Sequence, residues 1–221
     1  MPPAPAYTRL ENDERRRRLV ALGERLFTEN AFDEISMAAI AREAGISKAL
    51  LYHYFPSKRD FFAATLAEGA EALRLAVEPD PAASPAEALL ASLGAYLVWV
   101  EEHRDSYAKL MRSVATVREA RELVDQVRDM TAQRVLDGLT GGSGAPLPPA
   151  ARIAVRGWLW FLDGAILDWI DAGSDVSREQ LQGLLVGTLL GALTAAGAGD
   201  LLQAAADDHT GPDPGPSGGH P

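Results

Sequence analysis

The chain has 221 residues, of which 47% are hydrophobic and 24% are charged, a balance typical of one large or two small globular domains. It contains no Cys, which excludes disulfides, thiolate nucleophiles and Cys-ligated metal centres. The first residues lack the apolar stretch of a secretory signal and soon lead into the basic run Arg15–Arg18. We therefore expect no signal peptide and a cytoplasmic protein.

The net charge of −10 is unevenly distributed along the chain. Residues 1–62 hold 10 Lys or Arg and 9 Asp or Glu, whereas residues 63–221 hold 11 and 22. An acidic chain argues against non-specific binding to nucleic acid, but the field of one segment can differ from that of the whole. This asymmetry predicts two parts with different roles.

Apolar residues recur at helical spacing along most of the chain, and clusters of Gly and Pro separate the periodic segments. The pattern predicts an all-α protein of about nine helices. We expect them near residues 12–30, 36–43, 47–54, 57–77, 86–103, 105–115, 117–139, 149–171 and 177–198. The expected organisation is a flexible segment over 1–12, a first domain over 13–73, a second over 74–198, and a tail over 199–221 that is too rich in Gly and Pro to fold.

Residues 36–55 carry the most specific motif in the sequence. Ser36 and Ser47 each precede a short helix as an N-cap, and Gly45 lies between the helices, where a sharp turn favours a positive φ. This pattern predicts a helix-turn-helix, in which the second helix enters the DNA major groove. The alternative is an ordinary helical hairpin. It is disfavoured because helix 47–54 is too short to be stable alone and its outer positions carry polar groups.

The segment Leu51–Lys58 (LYHYFPSK), preceded by Ile40–Ser47 (IAREAGIS), resembles the DNA-binding domain of the TetR family of bacterial regulators. The similarity covers roughly residues 13–73. It implies an all-α homodimer that binds a palindromic, double-stranded operator, usually as a repressor, and that carries a C-terminal domain for dimerisation and for a small-molecule effector. A site implied in this way uses two groups of residues: phosphate contacts by Ser36, Ser47, Tyr54 and Lys58, and groove contacts by Lys48, Tyr52 and His53.

Two further features bear on the expected DNA contacts. Ala49 stands where the family usually has Gly, which adds a methyl group where the backbone would approach DNA. The run Arg15–Arg18 could contact the DNA backbone as well. A charge run is more often a solvated helix face, however, and Glu11, Asp13 and Glu14 partly cancel this one.

The last two predicted helices have the features of a dimer interface. Helix 149–171 is apolar on more than one side, which indicates two packing partners. In helix 177–198, Gly183, Gly187 and Gly191 recur every four residues. Glycine destabilises a helix interior relative to alanine, and a close crossing with another helix would explain why three occur here. We expect a two-fold dimer through both helices, with these glycines and Trp169 at the interface. The alternative is a membrane span over 181–199, which would make the chain a membrane-anchored or scaffolding helical dimer; its Gly-rich composition and missing basic flanks disfavour it.

Aromatic and polar side chains near apolar faces of the second domain indicate a cavity for a small molecule. The candidate lining residues are Trp99, His103, Tyr107, Met111, Trp158, Phe161 and Leu162. The negative charge of this domain, including Asp163 and Asp168, favours a neutral apolar or cationic effector unless Arg112, Arg152 or Arg156 pairs those acids. No catalytic motif and no metal-ligand spacing is present, so we expect no enzyme activity, no cofactor and no metal site.

Overall fold

The computed structural model describes residues 6–141, 146–173 and 175–200. Within these ranges it contains nine α-helices and no strand, which confirms the predicted all-α class. The helices are α1 (Ala6–Glu29), α2 (Met37–Glu43), α3 (Lys48–Tyr54), α4 (Lys58–Ala76), α5 (Pro85–Glu102), α6 (Arg104–Ser113), α7 (Arg118–Thr140), α8 (Pro149–Asp171) and α9 (Arg178–Ala195).

Two features near the N-terminus differ from the expectation. Helix α1 begins at Ala6 rather than near residue 12, and so extends into the segment that was predicted to be flexible. The Glu14 carboxylate pairs with Arg17 at 3.1 Å and Arg18 at 3.0 Å, spacings at which opposite charges stabilise a helix. A short 3₁₀-helix, Phe32–Glu34, follows α1. The predicted disordered tail lies, from residue 201 onward, outside the described residues.

The chain divides into two compact units. The first contains the residues up to Ala76 together with Trp99–Gln126, and the division falls within α5 and α7. Its core joins α1 to the three helices that follow and is built from buried apolar side chains: Leu19, Val20, Ile40, Leu51, Phe55 and Phe61. Helices α1 and α4 pack together. They approach closely at Gly23, where a Cβ atom would collide with Thr65 and Phe61.

Helix α6 belongs to this first unit, although the second domain expected over 74–198 included it. The hydroxyl groups of Thr28 and Ser106 lie 2.8 Å apart, and the Lys109 ammonium donates to the Thr28 carbonyl oxygen. In addition, Phe62 packs with Val117 and Ala120 in a small apolar cluster. Polar and apolar contacts therefore both tie α6 and the start of α7 to the N-terminal helices.

The second unit contains Val77–Val98 and the chain from Val127 onward, and its core is the packing of α8 against α9. A stripe of buried leucines lies along one face of α9: Leu181, Leu185, Leu189 and Leu193. The indole of Trp158 donates to the Leu185 carbonyl oxygen at 2.8 Å. None of the described helices, α9 included, combines the length and hydropathy needed to cross a membrane.

Candidate nucleic-acid interface

Helices α2 and α3 form the predicted helix-turn-helix. The Ser36 hydroxyl accepts a hydrogen bond from the Ala39 amide and the Ser47 hydroxyl accepts one from the Leu50 amide, each at 3.1 Å. Both serines are therefore the N-caps that the sequence predicted. Gly45 has a φ of 65° between the helices, a conformation that other residues adopt at a steric cost.

The outer surface of α3 carries the side chains that were predicted to contact DNA. Lys48, Ala49, Tyr52 and His53 are exposed, and we call these four residues the recognition face. Residues 48 and 52 lie one turn apart, as do 49 and 53, so the four form two adjacent rows. The Lys48 ammonium lies 5.7 Å from the centre of the Tyr52 ring, and Tyr52 is 41% exposed. A short helix thus presents a cation, two aromatic donors and a methyl group together.

Tyr54 has a role that the sequence did not predict. It is half-buried, and its hydroxyl group donates to the Asn12 side-chain oxygen at 3.0 Å. Because a tyrosine hydroxyl has one proton, it can donate to a phosphate only after this bond breaks. The early start of α1 brings Asn12 to this position. In this structure Tyr54 therefore joins α1 to the end of α3.

Lys58 is similarly engaged within the protein. Its ammonium donates to the carbonyl oxygens of Phe32 at 2.8 Å and Ile35 at 3.0 Å, and it lies 4.3 Å from the centre of the Phe32 ring. At the start of α4, the Ser57 hydroxyl accepts from the Asp60 amide and donates to the Asp60 carboxylate. One ammonium proton of Lys58 is left for a phosphate, and the carboxylate at this helix start disfavours a second anion there. That Lys58 contacts a DNA phosphate stays a prediction, which the remaining ammonium proton allows.

The candidate lining residues of an effector cavity are divided between the two units. In the first unit, Trp99 is half-buried and stacks on the exposed His103 ring at 4.3 Å. Tyr107 is buried and Met111 is half-buried in the same unit.

In the second unit, Trp158 and Leu162 are buried, but Phe161 is 39% exposed. Phe161 lies about 60° around α8 from Trp158 and about 100° from Leu162. That these residues line one cavity stays a prediction.

The predicted interface glycines lie on the outer side of α9. At 100° per residue, Gly183, Gly187 and Gly191 are centred on the side opposite the buried leucine stripe. A Cβ atom at any of them would meet no described atom within 4 Å. These three positions are therefore open in the single chain.

Trp169 corrects one interface assignment. Its side chain is 5% exposed and its indole donates to the Val176 carbonyl oxygen at 3.0 Å, so it belongs to the core of its own protomer. The exposed tryptophan of α8 is instead Trp160, at 62%. The Arg128 guanidinium lies 3.9 Å from its ring centre. Trp160 was not among the predicted interface residues, although helix periodicity places it near Gly157 and Gly164.

Asp163 is paired by Arg128, which was not among the expected partners. Two nitrogens of the Arg128 guanidinium contact one Asp163 oxygen at 2.7 and 2.8 Å, and both side chains are largely buried. Arg156, one of the expected partners, pairs with Asp129 at 2.8 Å. The Asp163 charge is therefore balanced within the protomer.

Comparison with known proteins agrees with this architecture. The family profile described as "Bacterial regulatory proteins, tetR family" matches residues 19–65, and the profile for the "Tetracyclin repressor-like, C-terminal domain" matches residues 85–191. The chain is 26% identical over 127 residues to the HTH-type transcriptional regulator HbdR of Aromatoleum sp. (strain CIB), an alignment that covers 57% of this chain and 56% of HbdR.

Two further relatives extend the similarity over more of the chain. The HTH-type transcriptional activator FasR of Mycolicibacterium smegmatis is 26% identical over 150 residues, covering 66% of this chain and 68% of FasR. The crystal structure of a tetR-family transcriptional regulator from Streptomyces coelicolor superposes with a TM-score of 0.71 at 28% identity, covering 90% of this chain and 92% of that one. With both profiles matched and the helix-turn-helix in place, the chain belongs to the TetR family of bacterial regulatory proteins.

Proposed function

We propose that this chain is a DNA-binding transcriptional regulator that acts in the cytoplasm as a homodimer on a palindromic operator, and that a small molecule releases it. The observation that carries this proposal is the recognition face, in which a short helix held by the helix-turn-helix exposes Lys48, Tyr52 and His53. Such a helix can enter a major groove with its polar side chains toward the base edges. We propose repression by steric blocking as its mode of action.

The residue roles follow from the donors that remain available. The cap hydrogen bonds use acceptor positions of Ser36 and Ser47, so the hydroxyl protons are left to donate to phosphates. Lys48 is suited to the O6 and N7 acceptors of guanine, and the Ala49 methyl group to apolar contact with a thymine methyl. Phosphate contacts would position the protein, and base contacts would give it specificity.

The outer faces of α8 and α9 support dimerisation through these helices. Ile153 is 74% exposed and Leu184 is 53% exposed, in addition to Trp160. Apolar side chains exposed in this number are typical of an interaction surface. The open glycines of α9 would let a second copy approach closely. A two-fold dimer would hold the two recognition helices about 34 Å apart, one turn of DNA.

For the effector, we propose a neutral apolar molecule. The chain beyond residue 62 carries twice as many acidic as basic residues, which disfavours an anion. The pairing of Asp163 with Arg128 removes one acid that could have attracted a cation. The candidate lining is either Trp99, Tyr107 and Met111 in the first unit or Trp158 and Leu162 in the second. Titration with neutral, cationic and acidic hydrophobic compounds, followed by tryptophan fluorescence and DNA release, tests this choice. Release by acids alone would contradict it.

The dimeric, DNA-binding state is tested with Gly187→Leu. A leucine side chain at the open α9 face should block the approach of a second copy, so we expect a monomer that no longer binds a palindromic duplex. Gly69→Leu is the matched control, because a Cβ at Gly69 also meets open space but lies on α4. Sedimentation and fluorescence anisotropy on a duplex selected from a randomised pool provide the two measurements. A wild-type protein that is monomeric at micromolar concentration, or a Gly187→Leu dimer with normal DNA affinity, would refute the proposal.

A further inference from the structure

We propose that Arg16, in the N-terminal half of α1, contacts a phosphate of the DNA that α3 reads, and that the Asn12–Tyr54 hydrogen bond holds α1 in place for this contact. The inference rests on the proposed DNA-binding function and adds a DNA contact outside the helix-turn-helix. It accounts for part of the arginine run, which the residue roles above leave without a function.

The geometry places Arg16 beside the end of the recognition helix. Asn12 and Arg16 are one turn apart and share a face of α1. Asn12 accepts the Tyr54 hydroxyl proton at 3.0 Å, and the Arg16 guanidinium lies 5.4 Å from the centre of the Phe55 ring. Phe55 is the C-cap of α3 and is almost fully buried. Two successive turns of α1 thus contact the last residues of α3.

Arg16 differs from its neighbours in what it contacts. Arg17 and Arg18 both pair with the Glu14 carboxylate, which offsets part of their charge. Arg15 is turned about 100° away from Arg16 around the helix. Among the side chains that the structure describes, Arg16 is exposed and contacts an aromatic ring rather than a carboxylate. A ring offers no oxygen acceptor, so the guanidinium donors stay available for the bidentate geometry that suits phosphate.

The position of Arg16 beside the end of α3 also suits a contact with the DNA backbone. A helix that lies in the major groove has a phosphate strand on each side, and groups beside one end of that helix meet one of these strands. Arg16 flanks the α3 C-terminus close to the turn that leads into α4. Lys58 and Ser57 at that turn are engaged within the protein, so the exposed Arg16 guanidinium adds a positive charge on this side.

A purely structural role for Arg16 would be to cover Phe55 with its aliphatic stem. Two substitutions separate this role from a phosphate contact. Arg16→Met keeps an unbranched apolar chain over the ring and removes the charge. Arg16→Lys keeps the charge and removes the planar fork. A structural role predicts normal DNA binding for Arg16→Met, whereas a phosphate contact predicts loss for Arg16→Met and partial retention for Arg16→Lys.

The experiment measures DNA affinity as a function of salt concentration for the full chain. The probes are a duplex selected by the wild-type protein from a randomised pool and an unrelated duplex of equal length. One lost phosphate contact per protomer lowers the slope of log K against log salt by about 0.9, or about 1.8 for a dimer. Arg16→Met should therefore bind both duplexes more weakly, and its disadvantage should shrink by about tenfold between 50 and 200 mM salt. Arg18→Met, with the same change of charge, is the matched control and should alter the slope less.

A scan of the selected duplex with neutral methylphosphonate linkages locates the contact even if Arg16→Met lowers stability. At one position in each half-site, a neutral linkage should weaken DNA binding by the wild type. The same linkage should not weaken binding by Arg16→Met any further. An unchanged slope for Arg16→Met, equal effects of Arg16→Met and Arg18→Met, or the absence of such a linkage would overturn the inference while leaving the proposed function intact. A wild-type protein that binds neither duplex would overturn both.

Discussion

Replacement of Gly23 by alanine should destabilise the protein even though alanine is the better helix former. Gly23 lies on the side of α1 that meets α4, where an added Cβ would collide with the Thr65 hydroxyl and lie 2.9 Å from Phe61 Cζ. Neither neighbour can move easily. Phe61 is fully buried, and the buried Thr65 hydroxyl donates to the Phe61 carbonyl oxygen at 3.0 Å.

The expected magnitude is the balance of two effects. Alanine gains about 1 kcal/mol over glycine in a helix interior. Overpacking of a rigid core costs about 1–3 kcal/mol, and contact with two fixed groups favours the upper end of this range. Gly23→Ala should therefore lower the free energy of unfolding by about 2 kcal/mol. Gly69→Ala on α4 meets open space and should raise it by about 1 kcal/mol.

Urea denaturation followed by far-UV circular dichroism measures both variants. The comparison requires equal protein concentrations, because association changes apparent stability. The two substitutions are chemically identical and should have effects of opposite sign. If Gly23→Ala is as stable as Gly69→Ala, the close approach of α1 and α4 does not exist as described.

Three further substitutions test the polar contacts. Lys58→Met removes two charge-assisted hydrogen bonds and should lower the free energy of unfolding by about 2–3 kcal/mol, with faster amide exchange near the Phe32–Glu34 helix; unchanged exchange would contradict this role. Partial desolvation raises the pKa of Glu24, the Glu68 carboxylate raises it further and His103 opposes them. The charged form is therefore disfavoured in the folded state, and stability falls as pH rises from the ordinary Glu pKa through the raised one. Glu24→Gln should accordingly raise the melting temperature near neutral pH but not below the ordinary Glu pKa, and an equal shift at both pH values would disprove the assignment. Asp163→Asn leaves Arg128 without its carboxylate and should cost about 3 kcal/mol in urea denaturation, which a surface pair would not.

The helix-turn-helix could be predicted because its determinants are local. Ser36 and Ser47 cap helices that begin at the next residue, and Gly45 adopts its positive φ in the turn between them. Such signals act within a few residues, so they can be read directly from the sequence. The nine helices follow from the same kind of information.

The roles of Tyr54 and Lys58 could not be predicted in this way, because each depends on a distant part of the chain. Tyr54 contacts Asn12, which lies 42 residues earlier, and Lys58 contacts the carbonyl oxygen of Phe32, 26 residues earlier. No periodicity or motif encodes either contact. The pairing of α1 with α3, and of α4 with the 3₁₀-helix, has to be known first.

Helix α8 shows the same limit at the level of packing. Its periodicity indicated two apolar sides but not which of them is the core of the protomer. Packing against the leucine stripe of α9 buries the side of α8 that contains Trp158 and Trp169. Trp160 is left exposed to solvent. Trp169 shares the side of Trp158, and the pattern did not show whether that side faces the core or a second copy.

The central claim, that α3 reads DNA in a two-fold dimer, is tested most directly by selecting duplexes from a randomised pool with the wild-type chain and with Lys48→Ala and Tyr52→Ala. The account predicts that the wild type enriches an inverted repeat whose half-sites are centred about one DNA turn apart. It also predicts that each variant changes the preferred bases within the half-sites while keeping their spacing. Enrichment of no repeat by the wild type, or of identical half-sites by all three proteins, would contradict it.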